Sequence, residues 1–411
     1  SAIDADVLGN IYEQYLGHIL KKTEKRAKLA EGKAHRKEQG IYYTPTYVVD
    51  YIVKNTVGEL AKDKKFDLKN IKILDPACGS GSFLMKAFDY LVTQDKKKNG
   101  DADQTKLDLT GATASYGRKV EILKNNIFGV DLDPKAVEIA QLNLLLKAAE
   151  KKHRLPALQE NIKVGNSLID DKNISSRAFK WEGEFKEIMA NGGFDVVIGN
   201  PPYGAKFIQN EKDYFNSNYE VAEYQFDSFI LFLERAFKVL KIGGYMSFII
   251  PDTWLTLQYT KKIRQYLLEN SLICSIIDLP QTIFKDAIVD TIILILKKPK
   301  NKNEIDVNKT KIAIFPHKTL LENIDYNKFS STSERKQVEW RYNEFFRFNI
   351  HISPEDSKML KNISDNSILL KTIVDYNCGC KPYQIGKGKL KQNKRIVEDQ
   401  AYTSDHQKRK D

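Results

Sequence analysis

The fold is decided by one stretch of sequence, Ile71-Lys72-Ile73-Leu74-Asp75-Pro76-Ala77-Cys78-Gly79-Ser80-Gly81-Ser82-Phe83-Leu84. Its first four residues predict a short buried strand, and the glycine-rich turn after them leads into a helix predicted from Phe83 to about Thr93. In open α/β sheets built from such units, ligands bind at the carboxyl ends of the strands. The sequence therefore predicts an α/β fold with a binding site next to Asp75.

Short apolar runs alternate with helical segments from about residue 40 to residue 300, which is typical of a mainly parallel sheet. The pattern predicts seven strands, at Ile71–Leu74, Ile127–Val130, Ile162–Val164, Phe194–Gly199, Tyr245–Ile250, Ile273–Asp278 and Thr291–Leu296. The connection Leu279–Asp290 is too short for a crossover helix, so we expect the last two strands to pair antiparallel at the sheet edge. The predicted fold class is an α/β, seven-stranded, mostly parallel, Rossmann-like sheet.

Three regions are predicted along the 411 residues. Residues 1–39 are strongly charged, and we expect them to form a helical leader or connector. Residues 40–300 carry the sheet. Residues 301–411 are rich in Asn and Lys, and we expect a linker followed by the start of another domain.

The composition restricts the class of protein. A formal net charge of +11 and a pI near 9.1 favour a polyanionic partner, although many basic proteins have none. Cys378 and Cys380 lack the second Cys/His pair of a zinc site, so two ordinary thiols are the favoured interpretation and no metal is predicted. Without a signal peptide or an apolar run of about 18 residues, a membrane protein is excluded and a cytoplasmic location is predicted.

Two acidic residues follow predicted strands at the same edge of the sheet. Asp75 precedes the glycine turn, where a carboxylate suits a ligand with a cationic amine. Asp131 ends the second strand, where an acid is placed to accept hydrogen bonds from ribose hydroxyls. Asp133, before Pro134, is interpreted as a helix N-cap. The turn lacks the third glycine of the dinucleotide fingerprint and the lysine of a P-loop.

The fourth predicted strand runs into Asn200-Pro201-Pro202-Tyr203. The two prolines fix φ and exclude helix, so the turn is stiff. Taken alone, this tetrapeptide is equally compatible with a rigid structural loop. Three motifs in this order, each directly after a strand, indicate a functional site instead.

On these motifs, residues 40–300 resemble the DNA amino-methyltransferases that modify the N6 amine of adenine, in the gamma order of motifs, as found in type IIG and type I-like restriction–modification enzymes. The tetrapeptide is the most specific part of this resemblance. Gly40-Ile41-Tyr42-Tyr43-Thr44-Pro45 is similar to the upstream motif that closes over the methionine end of the cofactor. Thr44 is also interpreted as a helix N-cap, with Pro45 at the first helical position.

The resemblance implies S-adenosylmethionine as the cofactor and double-stranded DNA with a flipped adenine as the partner. The implied cofactor-binding residues are Tyr43, Thr44, Asp75, Ala77, Gly79, Ser82, Asp131, Asn166, Ser167 and Asp227. Asn166 departs from the family pattern, because many members have Asp at that position. Phe284 stands where members carry an aromatic residue that contacts the extruded base.

The implied catalytic residues are Asn200, Pro201, Pro202 and Tyr203. The Asn200 side-chain oxygen and the Pro201 carbonyl are expected to accept hydrogen bonds from the N6 amino group, and Tyr203 is expected to stack on the base. Cytosine C5 methylation is excluded, because the chain lacks a Pro-Cys nucleophile. Asn rather than Ser at position 200 favours adenine over cytosine N4.

Other functions share parts of this pattern. Protein glutamine methyltransferases carry the same tetrapeptide but are shorter, and RNA amine methylation stays open. The chain shows no convincing nuclease motif. However, the segment Asp6–Glu13 resembles the connector that follows the nuclease in single-chain restriction–modification enzymes. This leads to the hypothesis of an upstream nuclease domain and of a target-recognition domain that starts after about residue 310.

Overall fold

The computed structural model describes residues 18–23, 26–31, 44–63, 66–100, 111–150, 153–223, 226–283, 289–316, 331–368 and 372–374, together with residues 319, 321, 323, 324 and 329. The chain divides into one unit of residues 1–351 and a second of residues 352–411. The strands are β1 His18–Thr23, β2 Arg26–Glu31, β3 Ile73–Asp75, β4 Ile127–Asp131, β5 Ile162–Val164, β6 Phe194–Gly199, β7 Leu240–Pro251, β8 Leu272–Asp278, β9 Thr291–Lys297, β10 Lys309–Ile314 and β11 Ser331–Lys336.

Strands β3 to β11 form one mixed sheet of nine strands, in the order β11-β10-β8-β9-β7-β6-β3-β4-β5. Neighbouring strands from β7 through β6, β3 and β4 to β5 are all parallel. Their carboxyl ends, and the loops that follow them, therefore meet at one edge. The motifs around Asp75, Asp131, Asn166 and Asn200 lie at these strand ends or in the loops that follow them.

The seven-stranded prediction is wrong, because β10 and β11 extend the sheet beyond the seven expected strands. Strands β8 and β9 pair antiparallel as expected, but not at the edge. Strand β10 pairs parallel with β8, and β11 pairs antiparallel with β10. An uncovered β8 would present a row of unpaired backbone groups, and β10 pairs with them, while β11 covers β10 in turn.

The α-helices are α1 Thr46–Lys54, α2 Val57–Lys62, α3 Ser82–Gly100, α4 Gly111–Asn126, α5 Pro134–Ala148, α6 Trp181–Glu184, α7 Lys186–Ala190, α8 Gln209–Asn218, α9 Ser228–Val239, α10 Lys261–Asn270, α11 Lys302–Val307 and α12 Pro354–Asp365. None of the helices that the structure describes is long and apolar enough to cross a membrane.

The core lies on both faces of the sheet. Neighbouring residues of β3 point to opposite faces, so Ile73 packs with α1, α3 and α5, whereas Leu74 packs in the cluster that contains α9 and α10. Val196 and Val197 of β6 divide in the same way. Burial on both faces explains why apolar residues in the central strands point to both sides of the sheet.

The prediction of a helical leader is wrong for the part of residues 1–39 that the structure describes. Strands β1 and β2 form an antiparallel hairpin, in register from His18 opposite Glu31 to Thr23 opposite Arg26. Each strand pairs with backbone groups of the other, and this pairing overrides the intrinsic helix preference of the Lys, Ala and Leu residues in the segment. The segment Asp6–Glu13 lies outside the described residues.

A buried amide ties the last two strands to the sheet. Gln337 is fully buried, and its Nε2 donates to the carbonyl of Ser271 at 2.7 Å while its Oε1 accepts from the amide of Ile273 at 2.9 Å. The Thr310 hydroxyl donates to the Ile273 carbonyl at 2.8 Å. The sheet thus continues past residue 300. That a target-recognition domain starts in the following region stays a prediction.

Within the second unit, α12 starts at Pro354, and the Ser353 hydroxyl accepts from the amide of Asp356 at 3.0 Å as a helix cap. Cys378 and Cys380 lie outside the described residues.

Candidate active site

A cavity of about 890 Å³ opens at the carboxyl edge of β3, β4, β5 and β6. It is lined by most of the residues that the sequence predicts for the site, namely Thr44, Asp75, Ala77, Gly79, Ser82, Asp131, Asn166, Ser167, Asn200 and Pro202. Tyr43 and Phe284 lie outside the described residues. The parallel order of the strands brings together residues that are far apart in sequence.

The carboxyl group of Asp75 lies at the bottom of this site. It is almost fully buried, and its Oδ1 accepts from the amide of Ala77 at 3.0 Å. Burial, with a smaller contribution from the negative charge of Asp131, raises the pKa of Asp75 to about 8. A Cβ on Gly199 would come within 2.7 Å of Asp75 Oδ1, so only glycine leaves room for the carboxyl group beside β6.

The glycine turn is fixed to the end of β4 by Asp131. Its Oδ2 accepts from the amide of Gly79 at 2.8 Å, and its Oδ1 accepts from the amide of Asp133 at 2.8 Å. Loss of hydration raises the pKa of Asp131, and the accepted backbone hydrogen bonds oppose that change. Gly79 and Gly81 have φ of +51° and +88°, which turn the chain into α3. Asp133 caps α5 as predicted, through the amide of Lys135, and both Asp131 and Asp133 lie in the cavity wall.

The loop after β5 is joined to the loop after β3 by a buried serine. The Ser167 hydroxyl donates to the carbonyl of Pro76 at 2.6 Å, and the Ser167 carbonyl accepts from the indole of Trp181 at 3.1 Å. Asn166 Oδ1 accepts from the amide of Leu168 at 3.1 Å, which holds the Asn166 side chain at the cavity wall.

For the cofactor that the resemblance implies, Ser167→Ala should weaken binding of S-adenosylhomocysteine by at most roughly 5- to 30-fold, because a hydrogen bond of about 1–2 kcal/mol then no longer holds the two loops of the cavity wall together. Isothermal titration calorimetry measures this change. Ser217→Ala is the matched control, because the Ser217 hydroxyl also donates to a backbone carbonyl, but on an exposed face of α8. If thermal stability falls while the affinity stays unchanged, Ser167 has only a structural role.

Three hydrogen bonds fix the tetrapeptide and the glycine that follows it. Asn200 Nδ2 donates to the Thr44 hydroxyl at 3.1 Å. Contrary to the prediction, Thr44 does not cap α1, whose N-cap is Pro45. The Ser228 hydroxyl donates to the carbonyl of Pro202 at 2.5 Å. Asp227 Oδ1 accepts from the amide of Gly204 at 2.8 Å, where φ is +75°. The start of α9 therefore fixes the turn just after the prolines.

The structure does not place every predicted residue in the cavity wall. Tyr203 is 7% exposed and packs in the core cluster beside the sheet, and Pro201 is also buried. Asp227 contacts the tetrapeptide loop at Gly204 rather than lining the cavity. The expected stacking of Tyr203 on a base stays a prediction, and it requires this side chain to become accessible.

The cavity is also lined by residues that sequence reasoning missed. Leu132 directly follows Asp131, and Ser228 directly follows Asp227. Their positions next to predicted site residues were the only sequence features that could have indicated them. Phe207 and Phe215 reach the cavity from the segment after the tetrapeptide. No motif marks these two phenylalanines, because only the folding of α8 over the sheet edge brings them there.

An open sheet, an acid-lined cavity with a glycine turn, and an Asn-Pro-Pro-Tyr turn at the same edge form the arrangement of an amino-methyltransferase domain. Residues 125–284 match the family model described as Eco57I restriction-modification methylase.

Two curated relatives and one solved structure show the range of similarity. The chain is 34% identical over 330 residues to the type II restriction enzyme and methyltransferase RM.Eco57I of Escherichia coli, over 74% of this chain and 32% of that protein. It is 29% identical over 198 residues to the adenine-specific methyltransferase PglX of Streptomyces coelicolor, over 41% of this chain and 15% of that protein. The type IIG restriction endonuclease BpuSI shares the fold with a TM-score of 0.54 and 15% identity, over 88% of this chain and 37% of that one. The chain thus spans about a third or less of the length of these two relatives.

Proposed function

We propose that this chain transfers a methyl group from S-adenosylmethionine to the N6 amine of adenine in DNA, as the modification part of a restriction–modification system. The observation that carries the proposal is the placement of Asn200 and the two carboxylates in one cavity. The match of residues 125–284 to a restriction-modification methylase family and the similarity to RM.Eco57I and to the adenine-specific methyltransferase PglX support this proposal.

The residues of the cavity fit the proposed cofactor. Asp75 is a buried carboxyl group next to a turn whose backbone leaves open space, and it suits the cationic amine of an amino acid. Asp131 keeps acceptor capacity beyond its two backbone hydrogen bonds, which suits ribose hydroxyls. When bound, S-adenosylmethionine supplies an electrophilic methyl group.

The residues of the chain would act on the adenine by position and electrostatics. The Asn200 Oδ1 and the Pro201 carbonyl accept hydrogen bonds from the amino group and thereby direct the nitrogen lone pair toward the methyl group. No covalent bond to the protein forms. The amine lies within the base stack of a duplex, so the base must be flipped out to reach Asn200.

Transfer of labelled methyl groups from S-adenosylmethionine to DNA, RNA and protein in parallel, followed by nucleoside and amino-acid analysis, tests the proposal. We expect labelled N6-methyladenine from DNA. Label in glutamine, in RNA or in cytosine would overturn the assignment of substrate. Cleavage of unmodified DNA by a longer form of the protein would test the further hypothesis of a nuclease domain upstream of these residues.

A further inference from the structure

The loop after β5 places a side-chain amide, that of Asn166, in the wall of the cavity. Strand β5 pairs parallel with β4, and the amide of Gly165 donates to the carbonyl of Asp131 at 2.9 Å. Because β3, β4 and β5 are neighbours in this order, Asp75, Asp131 and Asn166 follow one another along the edge of the sheet. With the amine of the cofactor at Asp75 and its ribose at Asp131, as proposed above, the base on that ribose lies at Asn166.

The backbone around Asn166 is fixed on both sides. The amide of Asn166 donates to the carbonyl of Arg177 at 2.6 Å. A Cβ on Gly165, just before it, would come within 2.2 Å of the ring of Phe179, so the chain is tightly packed there. The hydroxyl of Ser167, just after it, is bonded to the loop after β3. The site therefore has little freedom to move the Asn166 side chain by shifting the chain that carries it.

One hydrogen bond decides which end of the Asn166 amide faces the backbone of its own loop. The amide N–H of Leu168 can only donate, and its nitrogen lies 3.1 Å from Asn166 Oδ1. The NH₂ group cannot accept a hydrogen bond, so a flipped amide would set two donors against each other. Oδ1 is therefore held at Leu168, and Nδ2 has no hydrogen-bond partner among the residues that the structure describes.

An aspartate at position 166, the residue that the family pattern favours, would present a different atom to the ligand. With the same bond to Leu168, its second carboxylate oxygen would stand where Asn166 has Nδ2, and that oxygen accepts from an amino group. Asn166 has a donor at this place instead. On a purine, a donor pairs with a ring nitrogen or with the oxygen of a 6-oxo group.

We propose that Asn166 is a specificity-determining residue, which donates through Nδ2 to a ring nitrogen of the cofactor base and does not recognise the 6-amino group. The proposal rests on the proposed function, because it takes S-adenosylmethionine to be the ligand of the cavity. Its consequence is that the cavity distinguishes only weakly between a 6-amino and a 6-oxo purine, since the 6-oxygen is a further acceptor for the same donor.

Calorimetry with S-adenosylhomocysteine and S-inosylhomocysteine, on the unmodified protein and on Asn166→Asp, tests the proposal. The measured quantity is the ratio of the inosyl to the adenosyl dissociation constant, because a general effect of the added negative charge acts on both ligands alike. We expect a ratio within about 10-fold for the unmodified protein. In Asn166→Asp the ratio should rise by roughly 10- to 100-fold, because the carboxylate accepts from the 6-amino group but sets an acceptor against the 6-oxygen.

Asn191→Asp is the matched control, because it makes the same change at the opposite edge of the sheet. Asn191 follows α7 and precedes β6, and its Nδ2 donates to the Glu187 carbonyl at 2.8 Å on an exposed surface. Its ratio of dissociation constants should equal that of the unmodified protein.

Equal ratios in the unmodified protein and in Asn166→Asp would overturn the proposal. A ratio above about 10-fold in the unmodified protein would overturn it without any variant, since the 6-amino group would then be recognised already. If S-adenosylhomocysteine binds and the ratio does not respond to Asn166→Asp, only this inference fails. If the unmodified protein binds neither ligand, the proposed function and this inference fail together.

Discussion

Asn200→Ala should reduce methyl transfer by at least about 10³-fold and leave the dissociation constant of S-adenosylhomocysteine within about 3-fold of its original value. The alanine removes the acceptor for the amino group, which acts only in the transition state, whereas Asp75 and Asp131 stay in place in the cavity wall. Single-turnover transfer of labelled methyl groups and calorimetry measure the two quantities separately.

The control for this variant is Asn210→Ala, which makes the same substitution at an exposed position on α8. It should leave both quantities unchanged. If Asn200→Ala loses cofactor affinity together with activity, then Asn200 binds the cofactor and is not the hydrogen-bond acceptor for the amino group. Retained activity would remove Asn200 from the mechanism altogether.

The affinity for S-adenosylhomocysteine should rise as the pH increases from 6 to 8, by roughly 50-fold. Asp75 has a pKa of about 8 in the protein, so only about 1% of it is ionised at pH 6 and half of it at pH 8. A cationic amine pairs with the ionised form, and binding at low pH must therefore release a proton. Calorimetry in two buffers of different ionisation enthalpy counts that proton.

The raised pKa of Asp75 also makes the stability of the ligand-free protein depend on pH. The pKa of Asp75 in the folded chain is higher than its usual value, so the folded state holds the proton more tightly than the unfolded state does. The contribution of Asp75 to stability is then present in acid and is lost as the pH rises from about 4 to about 8. The increase in Tm produced by S-adenosylhomocysteine should therefore grow across the same range.

Asp75→Asn removes the titrating group at nearly constant shape. Its affinity for S-adenosylhomocysteine should be weak and almost independent of pH between 6 and 8. A slope in Asp75→Asn equal to that of the unmodified protein would assign the titration to another group and contradict the role of Asp75.

The part of the site that lies directly after strands was predictable from sequence. Asp75, Asp131 and Asn200 each follow an apolar run, and parallel strands bring their carboxyl ends to one edge, so order along the chain determined proximity in space. The central strands were predictable for a related reason, because burial on both faces makes most of their residues apolar.

The remaining features depend on tertiary packing without a local pattern. Strand β11, Ser-Thr-Ser-Glu-Arg-Lys, is polar throughout, so no apolar alternation distinguishes it from a loop. The contact of Thr44 with Asn200 could not be read from spacing, because the same threonine also fits a helix cap. The burial of Tyr203 likewise depends on how the loop after β6 folds back on the core.

Gly199 couples the effects of mutations in the cofactor part of the site, at Asp75, to those in the substrate part, at Asn200. Its missing side chain leaves room for the carboxyl group of Asp75, and it is also the residue just before Asn200. Any larger residue at position 199 would displace either the carboxyl group or the strand that presents the asparagine. In a library of variants, almost no substitution of Gly199 should preserve activity. The effects of substitutions at Asp75 and Gly199 on activity should be strongly non-additive. Changes in the part of the site that binds the cofactor therefore restrict which changes are possible in the part that binds the substrate.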